Sequence, residues 1–160
     1  AGLDSGGGDE EEVVGLDAVG DGVHFDNFVG LSGVYCVPSQ FDFETGRGID
    51  QISPLLPACG YCADNFLRLS AGYRLERLTE EYHRRRRRLL DDGECHGSSS
   101  RVCSNRIDLP RLLFVHGVED TTVPYTSSTN IASQFRGAGL GDVTCDDLLL
   151  EGVGHPDTVV

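Results

Sequence analysis

The strongest constraint on the fold lies in the last fifty residues, where an apolar run, an amphipathic segment and a second apolar run follow in close succession. Leu112 to Val115 in "RLLFVHG" are continuously apolar, as a strand covered on both faces requires. "PYTSSTNIASQFRGAGL", residues 124–140, reads as a helix. Ser or Thr at 126 to 128 is placed to cap it, Ile131 and Phe135 fall at i, i+4, and Gly137 and Gly139 stop it. "DVTCDDLLLEGVGH", residues 142–155, supplies the next strand through Leu148 to Leu150. Strand, helix and strand in so short a span form a βαβ unit, with parallel pairing and a right-handed crossover. The expected fold class is α/β, a parallel sheet flanked by helices.

That topology has a chemical consequence. Asp120 follows the carboxyl end of the first strand and His155 follows the carboxyl end of the next, and sites in open α/β sheets are built along this edge. A solitary Asp at a strand end usually forms a turn, and a solitary His usually serves packing. Placed side by side, they make an acid–base pair: the carboxylate fixes the imidazole tautomer and stabilises the imidazolium formed on proton transfer. Asp120 and His155 are therefore the candidate catalytic residues. Such a pair needs a nucleophile to deprotonate.

The rest of the chain is less regular. Residues 1–24 are Gly-rich and acidic without a basic residue, and read as a solvated linker or surface insertion. Phe28 to Leu31 reads as a short buried strand ending in a Ser-Gly turn. "CVPSQFDFETGRGIDQISPLLPACGYC", residues 36–62, is broken by three prolines and three glycines and reads as loop. Residues 64–90 have helical composition, interrupted near Ser70-Ala71-Gly72. Arg84 to Arg88 follow Glu80 and Glu81 at helical spacing, which fits a solvated helix face; a patch for an anionic partner or a lipid surface is the alternative. An Arg-rich polar insertion is expected around 84–106.

Composition narrows the function classes. The 160 residues fit one domain, and the net charge of −13 argues against general nucleic-acid affinity, because phosphate binding needs positive surface. No apolar run reaches the length of a membrane span, so any membrane association would occur without a spanning segment. The six cysteines include a single CxxC, Cys59 and Cys62, without the second pair of a zinc ribbon. Scattered reduced thiols and no visible signal peptide point to an intracellular rather than a secreted protein. No cofactor motif is visible.

"HGVEDTTVP", residues 116–124, resembles the HGxxDxxVP element that carries the acid of α/β-hydrolase triads, and "GVGHPD", residues 152–157, resembles the loop that carries the histidine. The order acid then histidine matches that fold's order of nucleophile, acid and histidine. "FVGLSGVY", "FETGRGID" and "ISPL" resemble the region after the nucleophile helix in the isoprenylcysteine methylesterase, kynurenine formamidase and feruloyl-esterase-like group. The resemblance is close over 108–158 and loose over 25–83. It implies the C-terminal half of an α/β-hydrolase domain over 25–160, acting on a small-molecule or lipid-like carboxylic ester. Prolyl oligopeptidase-type peptidases carry similar ends.

The departure from that pattern is the nucleophile. No GxSxG occurs in the chain, and in "GLSGV", residues 30–34, Gly33 follows Ser32 one place too early. An HGG-type oxyanion loop is also missing. The chain starts at Ala1 rather than Met, and the expectation is a piece of a serine hydrolase whose Ser lies upstream. The competing expectation is a non-catalytic remnant or interaction module. Phe41, Phe43 and Leu55 are expected, from position, near the acyl or alcohol pocket.

Overall fold

In the computed structural model, residues 25–91, 107 and 109–158 are described. The acidic segment 1–24 and most of the polar stretch after Asp91 lie outside them.

Three strands form a parallel sheet in the order β1 (Asn27–Leu31), β2 (Arg111–Gly117), β3 (Cys145–Leu150). The register runs Gly30 to Phe114 to Asp147 and Leu31 to Val115 to Leu148. Strand pleating sends alternate residues to opposite faces. Leu112 and Phe114 join the main core with Leu75, Tyr82, Ile131, Ala132, Leu140 and Cys145. Those partners come from α4 (Ala71–Asp91), α5 (Thr126–Gly137), the turn after it and the start of β3. The core is centred on Phe114, which meets Tyr35 edge-on at 5.0 Å and Phe135 in a stacked arrangement at 6.1 Å. Gly30 makes room for this, because a Cβ there would run into the Tyr35 side chain.

The other face of the sheet is apolar and partly open. Val29 is 55 % exposed and Leu148 47 % exposed, with Leu31 nearly as open. β1 pairs only with β2 among the described residues, so its far edge is free.

The segment after β1 differs from its sequence reading. Residues 36–62 are not a continuous loop: they contain α1 (Val37–Gly46), a 3₁₀ turn at Asp50–Ile52 and the single-turn helix α2 (Leu55–Ala58), followed by α3 (Asn65–Leu69). Pro38 falls in the first turn of α1, where its missing N–H costs nothing. Val37, Cys59 and Phe66 form a second small core, with Phe41, Leu55 and Leu56 against it. Phe41 and Leu55 are partly buried against this core, and the Phe43 ring lies beneath the Arg47 guanidinium. Ser70 joins the helices: its hydroxyl donates to the Phe66 carbonyl and accepts the Val37 N–H. The break expected near residues 70–72 falls between α3 and α4. The arginine run does not leave the fold at once, since Arg84 to Arg88 continue α4 and Arg85 pairs with Glu81 at 2.7 Å.

The short helix α6 (His155–Thr158) closes the described chain at the carboxyl edge of the sheet.

Candidate functional site

The site is made by two turns that leave adjacent parallel strands and are tied to each other. Val118 N–H donates to the Leu150 carbonyl at 2.9 Å, and Glu119 N–H donates to the Val153 carbonyl at 3.2 Å. Gly117 permits this approach: a Cβ at that position would overlap the Val153 carbonyl oxygen and sit 2.8 Å from its carbon. A glycine at the last position of β2 is therefore a packing requirement of the neighbouring turn.

Asp120 ends the first turn with its side chain fully enclosed. Its Oδ1 accepts the backbone N–H groups of Thr122 at 2.8 Å and Val123 at 2.9 Å, a local turn that Asp readily makes. This fixes the carboxylate plane and leaves Oδ2 facing the second turn. There Oδ2 lies 2.7 Å from Nδ1 of His155. The structure thus brings both candidate residues together, at the edge the topology indicates. The imidazole of His155 is about one-third exposed, and among the described residues nothing hydrogen-bonds its Nε2. Burial alone would raise the Asp120 pKa. The Val123 N–H, the His155 hydrogen bond, the Thr122 N–H and the His155 charge together outweigh it and hold the carboxyl below its usual value.

A third ring lies behind the pair. His116, on β2, is completely buried. Its Nε2 is 2.9 Å from the Val123 carbonyl and 3.3 Å from Asp120 Oδ2, while its Nδ1 is 2.7 Å from Ser128 Oγ. His116 and Ser128 were invisible as site residues in the sequence, where the first is part of a motif and the second sits among possible helix caps. The signal available was periodicity, since β2 alternation turns His116 toward the helix-covered face with Leu112 and Phe114.

The hydroxyls in the first turn of α5 do not cap it. Tyr125 holds the cap position without a side-chain bond to the helix. Ser127 instead donates to the Gly33 carbonyl and accepts the Tyr35 N–H, tying α5 to the turn after β1. α1 supports the acid turn from outside: Gln40 donates to the Thr122 carbonyl at 2.8 Å, and Arg47 reaches the Thr121 carbonyl.

Ser32, at the carboxyl end of β1, is buried with a left-handed backbone, φ 45°, and its hydroxyl has no hydrogen-bond partner among the described residues. It therefore makes no bond to His155. Among the described residues no cluster of three or more His, Cys, Asp or Glu is arranged to hold a metal ion. Cys36, Cys59, Cys62 and Cys145 are free thiols. No helix among them is long and apolar enough to cross a membrane.

Comparison with known proteins adds no relative: no family model, no curated protein and no solved structure matches the chain.

What this arrangement can do follows from its chemistry. A carboxylate held by two backbone donors orients an imidazole through Nδ1. The opposite nitrogen is left open to take a proton from a nucleophile and return it to a leaving group.

Proposed function

We propose that this chain supplies the acid and the histidine of a serine hydrolase of the α/β-hydrolase class, which cleaves carboxylic esters. In this reading a serine outside these 160 residues attacks the ester carbonyl and His155 accepts its proton through Nε2. Asp120 holds His155 and stabilises the imidazolium. As the tetrahedral intermediate collapses, His155 returns the proton to the departing alcohol. The acyl-enzyme is then hydrolysed by water through the same steps, with upstream backbone N–H groups as the oxyanion donors.

The observation that carries the reading is the 2.7 Å contact between Asp120 Oδ2 and His155 Nδ1 at the carboxyl edge of adjacent parallel strands. The HGxxDxxVP and GHPD elements support it. The substrate class, a small-molecule or lipid-like ester, rests on the resemblance alone.

A direct test is to translate in frame the DNA preceding the codon for Ala1. The expected result is a GxSxG motif on a strand-to-helix turn, with an HGG-type loop before it. A start codon at this boundary with neither motif upstream would reject the enzyme in favour of a non-catalytic module.

A further inference from the structure

We propose that the carboxyl-terminal end of α4 is a docking surface for the acidic run of this same chain, Asp9 to Glu12, which Arg84, Arg86, Arg87 and Arg88 hold by charge. The contact is independent of the ester chemistry above.

The topology brings the two segments to one edge of the sheet. α4 starts where the Gly72 N–H donates to the Tyr35 carbonyl, beyond the carboxyl end of β1, and runs back against the strand direction. By His83 it has reached the opposite edge, since the His83 ring lies 3.1 Å from the Ala138 carbonyl, in the turn that leads from α5 into β3. β1 begins at that same edge, where the Arg111 N–H at the start of β2 donates to the Asp26 carbonyl. The first 24 residues therefore join the fold at the edge where Arg84 to Arg88 leave it. The stretch from Glu12 to Phe25 can span up to roughly 45 Å, more than the whole length of α4, whose 21 residues extend about 31 Å.

The arginines are placed for a partner and not for the core. Leu75 and Tyr82 mark the stripe of α4 that faces the sheet, and the same three-to-four-residue spacing continues that stripe at Arg86. Arg86 is exposed, so the helix has passed the sheet edge by then. Arg84, Arg87 and Arg88 are exposed too, and none of these four forms a hydrogen bond or ion pair with another described residue, whereas Arg85 pairs with Glu81. Like charges at i, i+3 and i, i+4 weaken a helix. The macrodipole offsets this only in the last turn, where Arg88 is the basic residue. A carboxylate at 91 neighbours only 87 and 88 on a helix, which does not serve Arg84 or Arg86. Residues 1–24 supply the complementary charge: seven carboxylates and no arginine or lysine, with Asp9, Glu10, Glu11 and Glu12 consecutive. Guanidinium groups take carboxylates in two-point contacts, which suits a run of one against a run of the other.

The test uses the ¹⁵N-labelled 160-residue chain. Because it contains no lysine, an amine-selective nitroxide attaches only at the amino group of Ala1. In 0.01 M salt, where charges act over about 30 Å, the backbone amide signals of Arg84 to Arg88 are expected to lose intensity by about twofold or more, and to recover in 1 M salt, where that range is about 3 Å. The broadening is expected to vanish when Asp9→Asn, Glu10→Gln, Glu11→Gln and Glu12→Gln are combined, a variant that leaves the arginines and the sheet untouched. Arg84→Glu, Arg86→Glu, Arg87→Glu and Arg88→Glu together should also abolish it, and adding Asp9→Arg, Glu10→Arg, Glu11→Arg and Glu12→Arg should restore it. Phosphatidylserine vesicles at low salt are expected to bind the neutralised variant several-fold more tightly than the parent, whose arginines are already occupied. No broadening at low salt, or broadening that survives neutralisation of residues 9–12, would overturn the proposal. So would equal broadening in a mixture of nitroxide-bearing unlabelled chain and ¹⁵N-labelled chain, which would place the contact between copies, or vesicles that bind the parent as tightly as the neutralised variant. Failure of the hydrolase reading would leave every one of these readouts unchanged.

Discussion

Replacing Gly117 by alanine should separate the two turns that make the site. The added Cβ would overlap the Val153 carbonyl oxygen and lie 2.8 Å from its carbon. Non-bonded carbon atoms rest at about 3.5–4.0 Å, so the 150–154 turn must retreat by roughly 1 Å. What lies in the way is backbone, which has no rotamer to change. The retreat stretches the Glu119 N–H bond to the Val153 carbonyl from 3.2 Å beyond hydrogen-bond range and carries His155 away from Asp120. Overpacking of this kind costs about 1–3 kcal/mol, and the stretched bond adds about 1 kcal/mol. Thermal or urea denaturation should read a loss of about 2–4 kcal/mol in Gly117→Ala, and the downfield His155 Nδ1 proton should be lost or move sharply upfield. A variant as stable as the parent within about 0.5 kcal/mol, with that proton in place, would refute the claim that the close approach at Gly117 builds the site.

The pH dependence has a definite sign. The Asp120 carboxyl is held below its usual value in the fold, so its contribution to stability is fully present above about pH 4 and is lost as pH falls through the lower folded value. Asp120→Asn should melt with a flatter acid limb than the parent, and parallel limbs would contradict the assignment. Asp120→Ala should cost about 1–3 kcal/mol in denaturation, because the Thr122 and Val123 N–H groups lose their acceptor. The open apolar face should drive self-association: Val29→Lys with Leu148→Lys should reduce it in sedimentation or light scattering, and a parent chain that already melts sharply as a monomer would contradict this. Zinc should not co-purify in stoichiometric amount, since the spacing of the six cysteines offers no four-ligand pattern; one zinc per chain, lost in Cys59→Ser, would overturn that.

The parts of the fold that could be read in the sequence are those where one strong pattern dominates. The apolar run at 112–115 marks β2 because four consecutive apolar residues suit a strand covered on both faces and not the one-sided stripe of a surface helix, and the turn residues that follow leave Asp120 little freedom of place. The Gly-rich end of α5 and the triple leucine of β3 place His155 in the same way. α1 was hidden because Pro38 and Gly46 look like interruptions, whereas one starts the helix and the other ends it. The hydroxyls at 126–128 misled for a related reason. Their local sequence fits a cap, but tertiary partners 92 to 94 residues away claim Ser127, and a buried ring on β2 claims Ser128. His116 could be placed on a face of β2 by alternation, yet its contact with Asp120 depends on the path of the turn between them.

The proposal that Asp120 and His155 are the acid and base of an esterase stands or falls on turnover. It is tested most directly by the rate of p-nitrophenyl acetate hydrolysis in the protein extended through its upstream in-frame sequence. Turnover is expected in that protein, with a fall of about 10⁴-fold in kcat on Asp120→Asn, background rates on His155→Ala, and no turnover above a denatured control by the 160 residues alone. Turnover undiminished by Asp120→Asn and His155→Ala, or triad-like turnover by the 160 residues alone that His155→Ala abolishes, would contradict it.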